Sequence, residues 1–186
     1  MKTKSMTIIG MVTAMLCIMG PLTIAVPISP VPISLATLAI YFAVYVLGIK
    51  RGIICVCLYL FMGTIGLPIF SGFSGGIGKL LGPTGGYLAG YLVLVLVSGI
   101  FIEKWQGNRY LQAVGMLLGT VLCYLTGSCW LAWQSKISFD TALGIGVFPF
   151  ILGDVVKLAI AVTAGPVLRM RLMRVGLVVF PKNMNK

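Results

Sequence analysis

The sequence predicts an all-α integral membrane protein with six transmembrane helices. Of its 186 residues, 59% are hydrophobic and 9% are charged, whereas a typical soluble domain is about 25% charged. Breaking the chain at charges, prolines and glycine clusters leaves six apolar segments, most of them near the length of about 20 residues that a spanning helix needs. The predicted helices are 6–26, 34–49, 51–66, 83–102, 110–133 and 146–168. No composition shift marks a second domain, so we expect residues 1–186 to form a single transmembrane domain.

The first predicted helix follows Lys2 and Lys4 and runs to Val26. A basic start before an apolar run is also typical of a signal peptide, but this run exceeds the about 7–15 apolar residues of that signal. We therefore expect a retained helix. Gly10 and Ala14 lie one turn apart on it, a spacing that lets a second helix approach closely. That second helix belongs either to the same chain or to a partner.

The remaining predicted helices are separated by charges or by turn-forming residues. Helices 34–49 and 51–66 are short for a hydrocarbon core of about 30 Å, and Lys50 and Arg51 separate them. A charged stretch, 103–109, separates the fourth helix from the fifth. The connections after the first, third and fifth helices are longer and mostly rich in Pro, Gly and Ser, and such loops usually display binding groups.

Basic residues orient the predicted bundle. If the N-terminus is cytoplasmic, eleven of the 14 Lys and Arg residues fall on the inner side, and two, Lys79 and Lys136, fall on the outer side. This is the positive-inside pattern, so we expect both termini in the cytoplasm and a site that opens outward. The formal net charge of +11 is thereby assigned to membrane orientation, and we expect no nucleic-acid partner.

The inventory of residues excludes several kinds of chemistry. With no histidine and only three acidic residues, the chain has no Ser-His-Asp triad and no His-ligated metal site. Its five cysteines have no CxxC spacing, which argues against zinc or redox chemistry. The glycine-rich stretch 72–87 departs from the phosphate-binding pattern G-x-x-x-x-G-K-[ST] at Phe73 and Leu80. We therefore predict no enzyme, no metal and no cofactor in this chain.

Asp154 and Lys157 are the strongest candidates for a site, because they are the only acidic and basic side chains in the interior of a predicted span, away from its ends. A charge at the centre of a membrane helix costs about 2.5–3.5 kcal/mol, so such residues face the bundle interior, a cavity or each other. Their i, i+3 spacing puts both on one helical face. The pair is either an internal ion pair that holds helices together or a polar ligand site. Asp accepts from ligand N–H groups, whereas Lys donates to a carbonyl or pairs with a carboxylate.

Three segments of the chain carry motifs that occur together in one known family. They are Gly82-Pro-Thr-Gly-Gly-Tyr-Leu-Ala-Gly90, Phe148-Pro-Phe-Ile-Leu-Gly-Asp-Val-Val-Lys157 and Val31-Pro-Ile-Ser-Leu-Ala-Thr-Leu38. Together they resemble the BioY family of biotin transporters over nearly the whole chain. The third segment departs from the family pattern VPxTLQTL, with Ser34 in place of Thr and Ala36 in place of Gln. A contact that the family's Gln makes to ligand or lid would therefore be missing here.

The resemblance implies the substrate-binding (S) component of an energy-coupling-factor (ECF) transporter in a prokaryotic cell membrane. Such a component binds biotin from outside and works with a transmembrane coupling subunit and two ATPase subunits. The chain has no Walker A motif, so ATP is expected to be used only by those partners. We expect Gly10 and Ala14 on the first helix to meet the coupling subunit.

The resemblance also assigns site residues. It implies that Asp154 and Lys157 line the ligand pocket, with Asp154 accepting a ureido N–H and Lys157 serving either the ureido oxygen or the valerate carboxylate. Further substrate-binding candidates come from the other two segments: Ser34, Gly82, Pro83, Thr84, Gly85, Gly86 and Tyr87.

Two other functions are alternatives to this one. The first is a stand-alone secondary carrier for biotin or a related vitamin, in which Asp154 would couple to protons. Carriers of that kind commonly contain an inverted repeat, and none is visible in this sequence. The second is an integral membrane enzyme, for which the chain offers few acid–base groups.

Overall fold

A computed structural model describes residues 3–24 and 31–176. Within these ranges the chain forms seven α-helices and one two-stranded antiparallel sheet, in which Thr23 lies opposite Ser34. The helices are α1 (Thr3–Met19), α2 (Ala36–Thr64), α3 (Ile77–Leu81), α4 (Gly85–Lys104), α5 (Arg109–Ser135), α6 (Phe139–Gly146) and α7 (Phe148–Arg174), and the strands are β1 (Thr23–Ile24) and β2 (Ile33–Ser34). Among the described helices, α2, α4, α5 and α7 are long and apolar enough to cross a membrane. The chain is therefore a mostly helical membrane protein.

The first predicted helix is wrong at its C-terminal end. Helix α1 stops at Met19, and Thr23–Ile24 form strand β1 instead of a further helical turn. The Gly20-Pro21 pair explains the early stop, because proline disfavours the helical conformation of the residue before it. Residues 25 and 26 of the predicted helix, and Lys2 before it, lie outside the described residues.

The second and third predicted helices are the two halves of α2. They meet at Gly48, whose φ of 72° and ψ of −172° are not helical. The break expected at Lys50 and Arg51 is wrong by two residues, because both of these residues are helical. The break lies at Gly48 instead, since glycine is the residue that adopts this conformation at low cost.

The contacts of α2 show that its halves run in opposite directions. In the first half, Tyr41 hydrogen-bonds to Thr120 and Tyr45 to Gln112, so this half is antiparallel to α5.

In the second half, Ile49 packs on Gly99, and Gly52 lies against Val95, so this half is antiparallel to α4. Helices α4 and α5 are themselves antiparallel neighbours, with Gly90 packed against Cys123 and Gly115 against the Phe101 ring. The second half of α2 therefore returns toward the end at which the first half began.

The predicted connections also contain helices. The connection after the fifth predicted helix contains most of α6, which Ser138 caps by accepting a hydrogen bond from the Thr141 N–H. The connection after the third predicted helix contains the single turn α3. Helix α7 extends to Arg174 rather than ending at 168, and its last turn carries basic residues that suit a helix C-terminus.

The core lies where α2, α4 and α5 meet. Its largest fully buried side chains include Tyr41, Tyr45, Tyr59, Leu94 and Met116. Helices α4 and α5 approach closely because glycines face large side chains across their contact, as at Gly127 beside the Tyr87 ring. This packing brings the N-terminal ends of α4 and α7 and the C-terminal half of α5 together beside strand β2.

Candidate functional site

Asp154 and Lys157 lie on the buried stripe of α7. That helix exposes most of its apolar side chains, and the residues it buries recur every three to four positions: Phe150, Asp154, Lys157, Ala161, Gly165 and Arg169. Asp154 and Lys157 are 8% and 6% exposed, and the Lys157 Nζ lies 2.6 Å from the Asp154 Oδ1. The shared face expected from their spacing is therefore present, and the two charges pair directly.

Side chains and backbone from three other elements, β2, α2 and α5, complete the pair. Lys157 Nζ donates to the Ser34 carbonyl oxygen at 2.7 Å and lies 3.3 Å from the Thr37 Oγ1. The Thr37 hydroxyl is 3.4 Å from the Asp154 Oδ1, and the Tyr124 hydroxyl donates to the Asp154 Oδ2. Because buried charges are tolerated only when they are paired and hydrogen-bonded, this network holds both ions in place. It also ties α7 to α5 and to the start of α2.

Ser34 anchors the chain beside the pair. Its hydroxyl donates to the Gly20 carbonyl oxygen at 2.8 Å and accepts the Ala36 N–H at 3.0 Å. Only the carbonyl oxygen of Ser34 therefore reaches Lys157. Ala36, which replaces the family's Gln, is 1% exposed at the start of α2.

A small cavity of about 60 Å³, which we call the polar chamber, lies against Asp154 and Lys157. The segment 31–34 covers one side, and Tyr87, Tyr91 and Phe150 contribute aromatic rings. An acceptor and a donor side by side suit a ligand that carries an N–H next to a carbonyl, and the rings suit an apolar ligand body. Among the described residues, no group of three or more His, Cys, Asp or Glu side chains could hold a metal ion.

Of the predicted segment 82–87, Tyr87 alone lines the polar chamber. Its hydroxyl donates to the Gly146 carbonyl oxygen at 2.9 Å. Gly82 accepts a hydrogen bond from the indole N–H of Trp130 at 2.9 Å. At Gly85 and Gly86 a Cβ would collide with neighbouring atoms, which include the Trp130 side chain.

The other two residues of the segment also lie away from the chamber lining. Pro83 is exposed, and Thr84 is buried just before α4. The glycines of this segment thus serve the packing of α4 against α3 and α5. Their role in substrate binding stays a prediction.

Gly10 and Ala14 lie on the exposed face of α1. A Cβ added at Gly10 would have nothing within 4 Å. Packing against another helix of this chain, one of the two expected uses of this small-residue pair, is therefore wrong among the described residues. The face is apolar as well, since Met11 and Ile18 are both 68% exposed.

Thr37 and Tyr124 are the members of the network that sequence reasoning did not select. Thr37 lies inside the Val31–Leu38 motif, so its position held a signal. Tyr124 lies in a long apolar helix, with no charge or motif nearby to distinguish it.

Known proteins resemble this chain over most of its length. The BioY family model matches residues 1–174. The probable biotin transporter BioY of Pyrococcus horikoshii is 38% identical over 162 residues, covering 87% of this chain and 94% of the relative. The biotin transporter BioY of Thermotoga maritima is 36% identical over 138 residues, covering 74% of this chain and 80% of the relative.

A solved structure has the same fold. The crystal structure of the S-component for biotin from an ECF-type ABC transporter superposes with a TM-score of 0.84 at 34% identity, covering 91% of this chain and 92% of that one. The family model and the relatives agree with this likeness, and we conclude that the chain belongs to the BioY family.

Proposed function

We propose that this chain binds biotin and acts as the S component of an ECF-type transporter in a prokaryotic cell membrane. The observation that carries the proposal is the buried Asp154–Lys157 pair at the polar chamber, in a family whose relatives are named biotin transporters. The chain is a transporter component and not an enzyme. Residues 1–186 act as one capture domain, and a coupling subunit with two ATPases supplies the energy.

The binding mode follows from the donors and acceptors at the chamber. The ureido group of biotin offers two N–H donors and one carbonyl acceptor. Asp154 accepts a ureido N–H, and Lys157, whose ammonium has three donors, serves the ureido oxygen; its alternative partner is the valerate carboxylate. Ser34 and Tyr87 border the same chamber, and Gly82 to Gly86 act as the rigid support that carries Tyr87.

Ligand entry requires the chamber to enlarge. At about 60 Å³ it is well below the 300–1,000 Å³ or so of typical small-molecule pockets. The Lys157–Ser34 hydrogen bond of 2.7 Å holds the segment 31–34 over the pair. In the empty chamber the two ions bind each other, and biotin replaces these contacts with its own donors and acceptors. The segment 31–34 moves aside to admit the ligand and closes again over it.

The topology we propose has six membrane crossings with both termini in the cytoplasm. Five of the described helices supply them, because the two halves of α2 run in opposite directions and each counts as one crossing. The break in α2, the end of α4 and the start of α5 then share the cytoplasmic side, where the basic residues Lys50, Arg51, Lys104 and Arg109 meet the positive-inside pattern.

The surface we propose for the coupling subunit is the exposed face of α1 around Gly10 and Ala14. Small residues let a partner helix approach closely, and no helix of the described chain occupies this face. Gly10→Leu and Ala14→Leu should abolish assembly with the coupling subunit in a pull-down while biotin binding is retained. Met11→Leu, on the same face, serves as the control of unchanged assembly. Normal assembly of both small-residue variants would refute the surface.

The test of the function is the identity of the bound ligand. Protein purified from biotin-supplied cells is denatured, and the released small molecule is identified by mass. Biotin at close to one equivalent supports the proposal, and another vitamin or no ligand, with no biotin binding in calorimetry, overturns it. Uptake by vesicles that hold this chain alone, collapsed by a protonophore, would support a secondary carrier instead.

A further inference from the structure

A second cavity lies on the other side of Asp154 from the polar chamber. It has a volume of about 290 Å³ and lies between α5, α6 and α7. Its walls are almost entirely apolar, with side chains such as Leu117, Val121 and Val155. We call it the apolar cleft.

Among the described residues, Tyr124 and Asp154 are the two that line both the polar chamber and the apolar cleft. They are also bonded to each other, because the Tyr124 hydroxyl donates to the Asp154 Oδ2. The other carboxylate oxygen, Oδ1, faces Lys157 and Thr37. The partition between the two cavities is therefore one hydrogen-bonded pair of side chains, and the bulk of that partition is the Tyr124 ring.

We infer that Tyr124 determines which ligands fit at the Asp154 end of the chamber. Its ring blocks any substituent that points from the ligand past Asp154, and its hydroxyl holds the carboxylate so that Oδ1 meets the ligand. This inference rests on the proposed function, in which Asp154 accepts a ureido N–H. The excluded ligands are ureido compounds with an alkyl group on the nitrogen nearest Asp154.

The apolar cleft indicates which ligands a variant without the Tyr124 ring should bind. An alkyl substituent that passes the missing ring would enter a cavity lined by Leu and Val, where each buried methylene strengthens binding about fourfold. The informative quantity is the ratio of two dissociation constants, that of the alkylated ligand over that of biotin. Alkylating the nitrogen also removes its hydrogen bond to Asp154, and the strength of that bond changes when the Tyr124 hydroxyl is lost. Tyr124→Phe measures this contribution to the ratio, and the rest of the change in Tyr124→Ala comes from the ring.

The experiment measures this ratio by calorimetry with biotin and its two ureido N-propyl derivatives. We expect Tyr124→Ala to lower the ratio by at least about tenfold for the isomer whose propyl group points at Asp154. Tyr124→Leu, a smaller change, is measured beside it so that loss of folding in one variant does not decide the result.

Two control variants separate the ring from its surroundings. Tyr124→Phe keeps the ring and loses the hydroxyl that orients Asp154, so it should weaken biotin binding and lower the ratio by much less than Tyr124→Ala does. Val121→Ala widens the cleft alone and should change neither. An unchanged ratio in Tyr124→Ala and Tyr124→Leu, or an equal change in Tyr124→Phe, would overturn the inference. Failure of the wild type to bind biotin would instead overturn the proposed function, so the two failures are distinct.

Discussion

Replacing Asp154 by alanine should weaken biotin binding sharply. The carboxylate is 8% exposed and is the ligand's proposed N–H acceptor in the polar chamber. A hydrogen bond to a charged group contributes about 1.5–3 kcal/mol, and each 1.4 kcal/mol or so is a tenfold change in affinity. The dissociation constant in detergent, measured by calorimetry, should therefore rise about ten- to a hundredfold.

The same substitution should also lower stability, because it leaves Lys157 buried without its counterion. Breaking a buried ion pair from one side costs about 3–5 kcal/mol. The Lys157 ammonium keeps the Ser34 carbonyl and the Thr37 hydroxyl as partners, so we expect a loss near about 3 kcal/mol. The double variant Asp154→Leu/Lys157→Met removes both charges and should recover most of that stability, since apolar replacement of a buried pair is often neutral.

The double variant separates a binding role from a structural one. If the pair binds the ligand, the variant melts near the wild-type temperature and still fails to bind biotin. If the pair only holds helices together, it binds biotin normally, and the site assignment is refuted. Asp140→Asn is the matched control, since Asp140 is an exposed acid in the first turn of α6 and its loss should change neither quantity.

Three further substitutions test the fold and the network. Gly48→Ala should destabilise the protein by about 1–3 kcal/mol, because its positive φ is strained for any side chain. The control Gly144→Ala lies inside α6 with nothing within 4 Å of the new Cβ, so it should not lower the melting temperature, since alanine is the better helix former. Equal melting of the two variants would contradict the break. Gly86→Ala should separate α4 from α5, because its Cβ would collide with Trp130, and a wild-type melting curve would contradict that contact. Thr37→Val should weaken biotin binding about tenfold in calorimetry while insertion persists, because it removes a hydroxyl within hydrogen-bond distance of both ions of the pair; unchanged affinity would exclude Thr37 from the site.

The predicted helices were most accurate where a single residue type forces the boundary. The charged stretch 103–109 separates α4 from α5 within two residues of the prediction, because charges are costly inside the membrane. The helix break at Gly48 was predicted two residues later, at Lys50 and Arg51. A cationic pair indicates that the chain has reached the water interface. The reversal of the chain, however, requires a non-helical backbone conformation at one residue. A lone glycine in an apolar run does not reveal from the sequence whether it is helical or adopts that conformation.

The candidate site also contains residues that the sequence predicted well and residues that it did not. Asp154 and Lys157 were identified because burying a charge demands a reason, which is a property of each residue alone. Gly82 to Gly86 were selected by resemblance, yet their side of α4 packs against α3 and Trp130. Glycine composition does not distinguish close helix packing from close approach to a ligand.

The sequence by itself determined the membrane class, the bias of basic residues and the one-face arrangement of Asp154 and Lys157, because hydropathy, charge and helical spacing act over a few residues. Only the tertiary structure decided which groups complete the pair. Thr37 is 117 positions from Asp154, and Ser34 is 123 positions from Lys157. Contacts at that separation depend on how the helices pack, so the tertiary structure alone brought Tyr124 to Asp154 between the two cavities.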